Sequence, residues 1–187
     1  MLVTVPLEGG GGEILAVLAD PKQETVAAFL RAMPETLRRT SEPACTDMYE
    51  GFVRAIEEEV PWAEIVIDRF HVAQAYRDCA DTVRKQELKR LKRALPKAEY
   101  AEIKGVMWPF RKRPVDLEPQ EWKLLERVFT CAPKIEVAYH LREDLTELFE
   151  RDDTKAGATC AIRAWCKRVR QSGLACPKRS QQWRRPC

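Results

Sequence analysis

The stretch that decides the fold class is residues 43–68, which read PACTDMYEGFVRAIEEEVPWAEIVID. A short β-like run at 43–46 ends in Asp47, an amphipathic helical run follows, and a second β-like run at 63–67 ends in Asp68. Strand, helix and strand in this order predict an α/β core with some parallel pairing. Ligands gather at the carboxyl ends of the strands in such sheets. Both acids are therefore predicted to lie at the edge of the sheet that usually binds ligands and carries catalytic residues.

The residues before this stretch extend the α/β prediction. Two β-like segments, Leu2–Leu7 and Glu13–Leu18, flank the four glycines 9–12 and predict a hairpin. No Lys-Ser or Lys-Thr pair follows these glycines, so a turn is favoured over a phosphate-binding loop. Asp20 followed by Pro21 predicts the start of a helix, with Asp20 as its N-cap.

The residues after the stretch are predicted to be helical. An apolar stripe runs from Phe70 to Leu95 without an intervening Gly or Pro, which predicts one long helix. Residues 108–114 are rich in Pro and Arg and predict a connection. Further helices are predicted to begin at Pro119, Pro133 and Thr154.

These elements predict a division of the 187 residues into three parts. Residues 1–95 form an α/β core, residues 96–171 an all-helical subdomain, and residues 172–187 a disordered basic tail. The sequence contains no apolar run long enough for a transmembrane helix and starts without a secretion signal. We therefore expect a cytoplasmic protein with no membrane partner.

The net charge of +3 hides strong local asymmetry. Residues 84–113 hold 11 Lys and Arg against three acids, and residues 154–187 hold nine Lys and Arg and no acid. Such blocks predict contacts with a phosphate backbone. The alternative is that the basic side chains of the long helix form an ordinary solvated face. The candidate nucleic-acid contacts are Arg69, Lys85, Lys89, Arg90, Lys92, Arg93, Arg111, Lys112 and Arg113.

Asp47 and Asp68 supply the minimum number of carboxylates for a divalent cation such as Mg²⁺, which prefers oxygen ligands. Each is also a good helix N-cap, and the two interpretations stay open. His71 lies three residues after Asp68, so that Asp68 can orient its imidazole beside a phosphate. Alternatively, His71 is simply a polar residue of the first helical turn.

Four short motifs resemble the DDE transposases of the ISL-three insertion-sequence family. They are TDMY at 46–49, IDRFHV at 67–72, VRKQE at 83–87 and WPFRK at 108–112, and the resemblance covers residues 13 to about 170. It implies an incomplete ribonuclease-H-like mixed sheet with flanking helices, followed by a helical insertion. The implied activity is metal-dependent cleavage of DNA at transposon ends and joining to a target.

Within this resemblance Asp47 matches the second acid of the catalytic triad and the implied ligand of Mg²⁺ or Mn²⁺. Asp68 and His71 match an Asp-x-x-His signature of related transposases. No residue matches the first Asp or the last Glu of the triad, so we expect an internal piece of a transposase that is inactive alone. The expected partners are DNA and a second copy of the chain or a full-length transposase. The alternative function is a non-catalytic DNA-binding, regulatory or dimerisation module.

Overall fold

The computed structural model describes residues 2–6 and 12–174. The glycine connection of the predicted hairpin and most of the predicted tail at 172–187 lie outside the described residues. The chain divides into two compact units, one ending at Val72 and one beginning at Ala73. The predicted boundary at residue 95 between core and helical subdomain stays a prediction.

The first unit contains all four described strands. Strands β1 (Leu2–Pro6) and β2 (Gly12–Val17) pair antiparallel, which confirms the predicted pairing of the hairpin strands. Strands β3 (Pro43–Thr46) and β4 (Glu64–Ile67) pair in parallel, as the strand–helix–strand order predicts.

The single mixed sheet expected from the sequence is wrong for the strands that the structure describes. They form two separate two-stranded sheets, β1–β2 and β3–β4. The chain between the two sheets forms helices α1 (Gln23–Ala32) and α2 (Glu35–Thr40) rather than a strand that would join them. The fold of this unit is therefore mixed α/β with small sheets.

Helix α1 packs on helix α3 (Glu50–Glu59), and their apolar faces form the core of the first unit. Its buried members are Val26, Ala27, Phe52 and Ala55. The helix predicted to start at Asp20 begins instead at Gln23. The Asp20 carboxylate accepts hydrogen bonds from Thr25 Oγ1 (2.6 Å) and from the backbone N–H of Lys22 (3.2 Å), so it stabilises the turn before the helix.

The second unit is helical in its described part. After α4 (Arg69–Ala94), which starts in the first unit, it contains α5 (Lys97–Ile103), α6 (Met107–Arg111), a 3₁₀ turn (Pro114–Asp116), α7 (Pro119–Cys131), α8 (Pro133–Glu150) and α9 (Lys155–Gln171). The starts predicted at Pro119 and Pro133 are confirmed, and α9 follows its predicted first residue, Thr154, as N-cap. The packed faces of α7 and α8 bury Leu125, Val128, Ile135, Ala138 and Tyr139 completely.

The predicted connection at 108–114 is wrong in its first half, because α6 occupies Met107–Arg111. Pro109 lies in the first turn of this short helix, where no backbone N–H is needed. The sequence predicts that Pro109 breaks a helix. In the structure the helix includes Pro109, and the next residue, Phe110, is buried.

Buried Arg142 on α8 holds the end of α6 in place. Its guanidinium donates hydrogen bonds to the carbonyl oxygens of Phe110 and Lys112 and lies 4.6 Å from the centre of the Tyr139 ring. A charge this far from water is tolerated only when it is hydrogen-bonded and paired, and Glu143 supplies the acid. The α6 turn is thus fixed by polar contacts as well as by packing.

Candidate active site and nucleic-acid interface

The two strand-terminal acids, Asp47 and Asp68, lie at the same edge of the parallel pair. Thr46 and Ile67 are register partners, and the backbone N–H of Asp68 continues the ladder with a 2.8 Å bond to the Thr46 carbonyl. Adjacent strands are about 4.8 Å apart, so the two acids follow neighbouring backbone positions. The structure therefore brings Asp47 and Asp68 together at the carboxyl end of β3 and β4.

Cys45 and Val66 mark the exposed face of the parallel pair. They are register partners, and both are exposed, whereas their neighbours along each strand are half-buried. Asp47 and Asp68 each come one residue after the end of their strand, and both are half-buried.

Each acid uses one carboxylate oxygen in a backbone hydrogen bond. Asp47 Oδ1 accepts the backbone N–H of Tyr49 at 2.8 Å, and Asp68 Oδ1 accepts that of Phe70 at 2.8 Å. The bond of Asp68 lies at the start of α4, as helix capping predicts, whereas the bond of Asp47 lies in the turn before α3, whose N-cap residue is Tyr49. In the described part of the chain the second oxygen of Asp47 has no hydrogen-bond partner.

His71 lies beside the second oxygen of Asp68. Its Nε2 is 3.6 Å from Asp68 Oδ2, which is too long for a hydrogen bond but close enough for electrostatic contact. Both side chains are partly exposed, so the pair is accessible from solvent. Arg69, between them in sequence, is exposed.

The carboxylates have the donor chemistry that Mg²⁺ requires. This ion is usually bound by one or two protein carboxylates, with water and substrate phosphate completing its shell. Over residues 2–6 and 12–174, no group of three or more His, Cys, Asp or Glu side chains is arranged to hold a metal. The protein ligands offered at this edge are therefore the two acids.

A basic face runs along the second half of α4. Lys89, Lys92 and Arg93 are exposed, while Leu88 and Leu91 on the opposite side are buried. Within the part of the chain that the structure covers, these three cations make no ion pair. An open depression along this face is lined by Gln86, Lys89, Arg90, Arg93 and Ala94.

Other predicted DNA contacts are tied to acids. Asp81 forms ion pairs with Arg84 (2.7 Å), Arg111 (3.0 Å) and Lys85 (3.1 Å). Partial burial alone would raise the pKa of Asp81, but hydrogen bonds from Arg84 and Lys85 outweigh it and lower the pKa to about 2. Three more predicted contacts are paired: Arg90 with Glu87, Lys112 with Glu121 and Arg113 with Glu150. Their predicted role in binding DNA stays a prediction.

Sequence reasoning missed both Asp81 and Arg142. Asp81 precedes Arg84 and Lys85 by three and four residues, a helical ion-pair spacing that could have found it. Arg142 directly follows Leu141 within the apolar pattern of α8, which could have marked it as a buried cation. The contact between Asp81 and Arg111 has no local signal, because 30 residues separate the two.

Adjacent carboxylates at the ends of parallel strands, in a chain with a basic helix face, are typical of proteins that act on phosphate groups of nucleic acids. Residues 1–182 match the family model of DDE transposases of the ISL3 type, and the chain belongs to this transposase family. It is also similar to the transposase of insertion sequence element IS1001 from Bordetella parapertussis, with 27% identity over 175 residues.

That alignment covers 92% of this chain and 42% of the relative, so the chain spans less than half the length of the curated protein it matches. No solved structure matches the chain. None of the helices within the described ranges combines the length and apolarity needed to span a bilayer.

Proposed function

We propose that this chain supplies the part of a DDE transposase that carries the second acid of the catalytic triad, Asp47, on a ribonuclease-H-like core. The observation that carries the proposal is the adjacency of Asp47 and Asp68 at the carboxyl end of the parallel pair. Membership of the transposase family supports DNA as the substrate class. The resemblance of residues 46–49 and 67–72 to the family motifs supports a role for Asp47 in the triad and for Asp68 with His71 in the accompanying signature.

Asp47 is the residue that would hold the divalent cation, Mg²⁺ or Mn²⁺, through its second carboxylate oxygen. A bound cation of this kind stabilises negative charge that develops on the phosphate. The Tyr49 N–H fixes the orientation of the Asp47 carboxylate by binding its first oxygen. His71 is placed by its contact with Asp68 to carry a proton near the phosphate.

We further propose that the 187-residue chain alone does not cleave DNA. Two carboxylates would bind the cation weakly and leave part of the developing charge unstabilised. Loss of one such stabilising group commonly lowers the rate by about 10²–10³-fold.

A nicking assay on supercoiled DNA with Mg²⁺ or Mn²⁺ tests this proposal. We expect no nicking above a protein-free control. Nicking that Asp47→Asn abolishes, while the exposed-acid control Asp152→Asn retains it, would contradict the proposed inactivity.

Binding of Mn²⁺ tests the metal ligand separately. Calorimetric titration of the full chain should give weak binding that Asp47→Asn removes and Asp152→Asn leaves unchanged. Equal binding by both variants would contradict the assignment of Asp47.

The basic face of α4 supports a second candidate, a DNA-binding module without catalysis. Its exposed cations Lys89, Lys92 and Arg93 recur on successive turns, so that they can follow a phosphate backbone. Tight binding to duplex DNA with a steep salt dependence would favour this module, and weak binding would favour an inactive part of a transposase.

A matched pair of double variants tests whether the basic face of α4 binds duplex DNA. Lys89→Ala with Arg93→Ala should weaken binding of duplex DNA and reduce the slope of log K against log salt by about 2, since each lost phosphate contact changes it by about 1. Lys123→Ala with Arg151→Ala removes the same charge from exposed positions elsewhere and should leave the slope unchanged. Equal slopes for both variants would contradict the proposed interface.

Pairing with a second copy or with a full-length transposase remains part of the proposal. Light scattering of the chain alone and co-purification with a tagged full-length copy test these two partners. A monomer that does not co-purify would remove both partners from the proposal.

A further inference from the structure

Two exposed aromatic rings, Tyr49 and Phe70, accompany the paired acids. We propose that they are base-stacking residues, which pack against unpaired nucleobases beside the phosphate that a divalent cation on Asp47 would hold. This inference rests on the proposed function of that edge as a DNA-phosphate site. It adds a substrate preference, for DNA whose bases have left the duplex.

The two rings are placed by the same local geometry. Tyr49 follows Asp47 by two residues and Phe70 follows Asp68 by two residues. In each case the backbone N–H of the aromatic residue donates a 2.8 Å hydrogen bond to the carboxylate of the acid. Each ring is therefore coupled to its acid, and the two acids are neighbours across β3 and β4.

Both rings keep a large part of their surface in solvent. Tyr49 is 48% exposed and Phe70 is 58% exposed. Tyr49 meets Phe52 nearly edge-on at 4.9 Å between ring centres, and Phe70 meets His71 in the same manner at 5.7 Å. These contacts orient the rings without burying them.

Gly51 provides the space that the Tyr49 ring occupies. A Cβ atom at position 51 would lie 2.5 Å from Tyr49 Cε1 and 3.1 Å from Cζ. Glycine is a poor helix former, yet it stands here in the first turn of α3. The absence of a Cβ at position 51 therefore leaves room for the Tyr49 ring where it lies.

The surroundings of the rings favour nucleic acid over an apolar protein partner. The residues next to them in sequence include Asp47, Asp68, Arg69 and His71, all of which are ionisable. Isolated aromatic rings among polar groups are typical of surfaces that stack nucleobases. In a duplex the bases already stack on each other, so such rings reach only bases that are unpaired or flipped out.

The test uses the full chain and a 12-nucleotide DNA strand that carries the fluorescent base 2-aminopurine, either single-stranded or paired with its complement. Stacking on an aromatic ring quenches this base. We expect the chain to quench the single strand on binding, and to bind it more tightly than the duplex.

The variants separate the rings from the fold. Tyr49→Leu and Phe70→Leu should each weaken single-strand binding by about tenfold and reduce the quenching, while duplex affinity stays unchanged. Tyr49→Phe and Phe70→Tyr keep the rings and should behave as the wild-type chain. A wild-type chain that binds the single strand without quenching, or Leu variants that bind and quench like it, would overturn the inference.

Failure of the proposed function has a different signature. A chain that binds neither form of DNA overturns the DNA-site proposal and this inference with it. A chain that binds both forms equally and without quenching overturns only the stacking role.

Discussion

Replacement of Arg142 by Met should be among the most destabilising single substitutions in the helical unit. The side chain is 7% exposed, and its guanidinium donates to the carbonyl oxygens of Phe110 and Lys112. The buried Phe110 carbonyl left without a donor costs about 1–3 kcal/mol. Loss of the bond to the part-buried Lys112 carbonyl, which the Tyr139 hydroxyl also contacts at 3.5 Å, adds about 1 kcal/mol, and loss of the contact with the Tyr139 ring adds about 1 kcal/mol. We therefore expect the free energy of unfolding to fall by about 3–5 kcal/mol.

Urea unfolding followed by tryptophan fluorescence and far-ultraviolet circular dichroism measures this change. Arg113→Met is the matched control, because Arg113 and its partner Glu150 have side chains that are 51% and 53% exposed. Exposed ion pairs contribute about 0–1 kcal/mol. Arg142→Lys should fall between the two, since lysine keeps the charge but cannot reach two carbonyls with a planar fork.

A result in which Arg142→Met destabilises the chain no more than Arg113→Met would refute this reasoning. It would mean that packing of Phe110 alone fixes the end of α6. The hydrogen bonds from Arg142 would then be replaced by water at little cost.

Two further predictions concern stability. Because the pKa of Asp81 is lowered from 3.8 to about 2, its ionised form stabilises the folded state above about pH 4, and this contribution is lost as the pH falls towards 2. Urea unfolding between about pH 4 and pH 2 measures this loss. The free energy of unfolding should fall by about 1–2 kcal/mol more for the wild type than for Asp81→Asn. The same fall for both proteins would contradict the role of Asp81. Thr154→Ala removes the hydroxyl that accepts the Gly157 N–H at 3.1 Å and should lower the free energy of unfolding by about 1 kcal/mol, whereas Thr154→Ser should keep most of it. Equal unfolding midpoints for the Ala and Ser variants would show that this cap does not contribute.

Local pattern was sufficient to predict the parallel pair and its two acids. The apolar run before Asp47, the amphipathic α3 and the apolar run before Asp68 form one continuous strand–helix–strand unit. Such a unit favours strands that lie side by side with their carboxyl ends together. Neighbours in sequence therefore determine the relation between Asp47 and Asp68.

Proline and charge patterns misled the prediction in the helical unit. Pro109 looks like a break, but it lies in the first turn of α6, and the buried Phe110 holds that helix in place. Lys85 and Arg111 look like free cations in a basic block, but Asp81 pairs with both. The pairing of Asp81 with Arg111 joins residues that are distant in sequence, whereas the pairing with Lys85 follows a local helical spacing.

The sequence by itself determined the transposase motifs, the parallel strands and the position of Asp47 beside Asp68, because periodicity and spacing act over a few residues. Only the tertiary structure decided that Arg111, Lys112 and Arg113 pair with Asp81, Glu121 and Glu150. It also decided that the four described strands form two small sheets, and that Arg142 lies buried against α6. These outcomes depend on which helix faces meet, and packing between distant segments has no signature in local sequence.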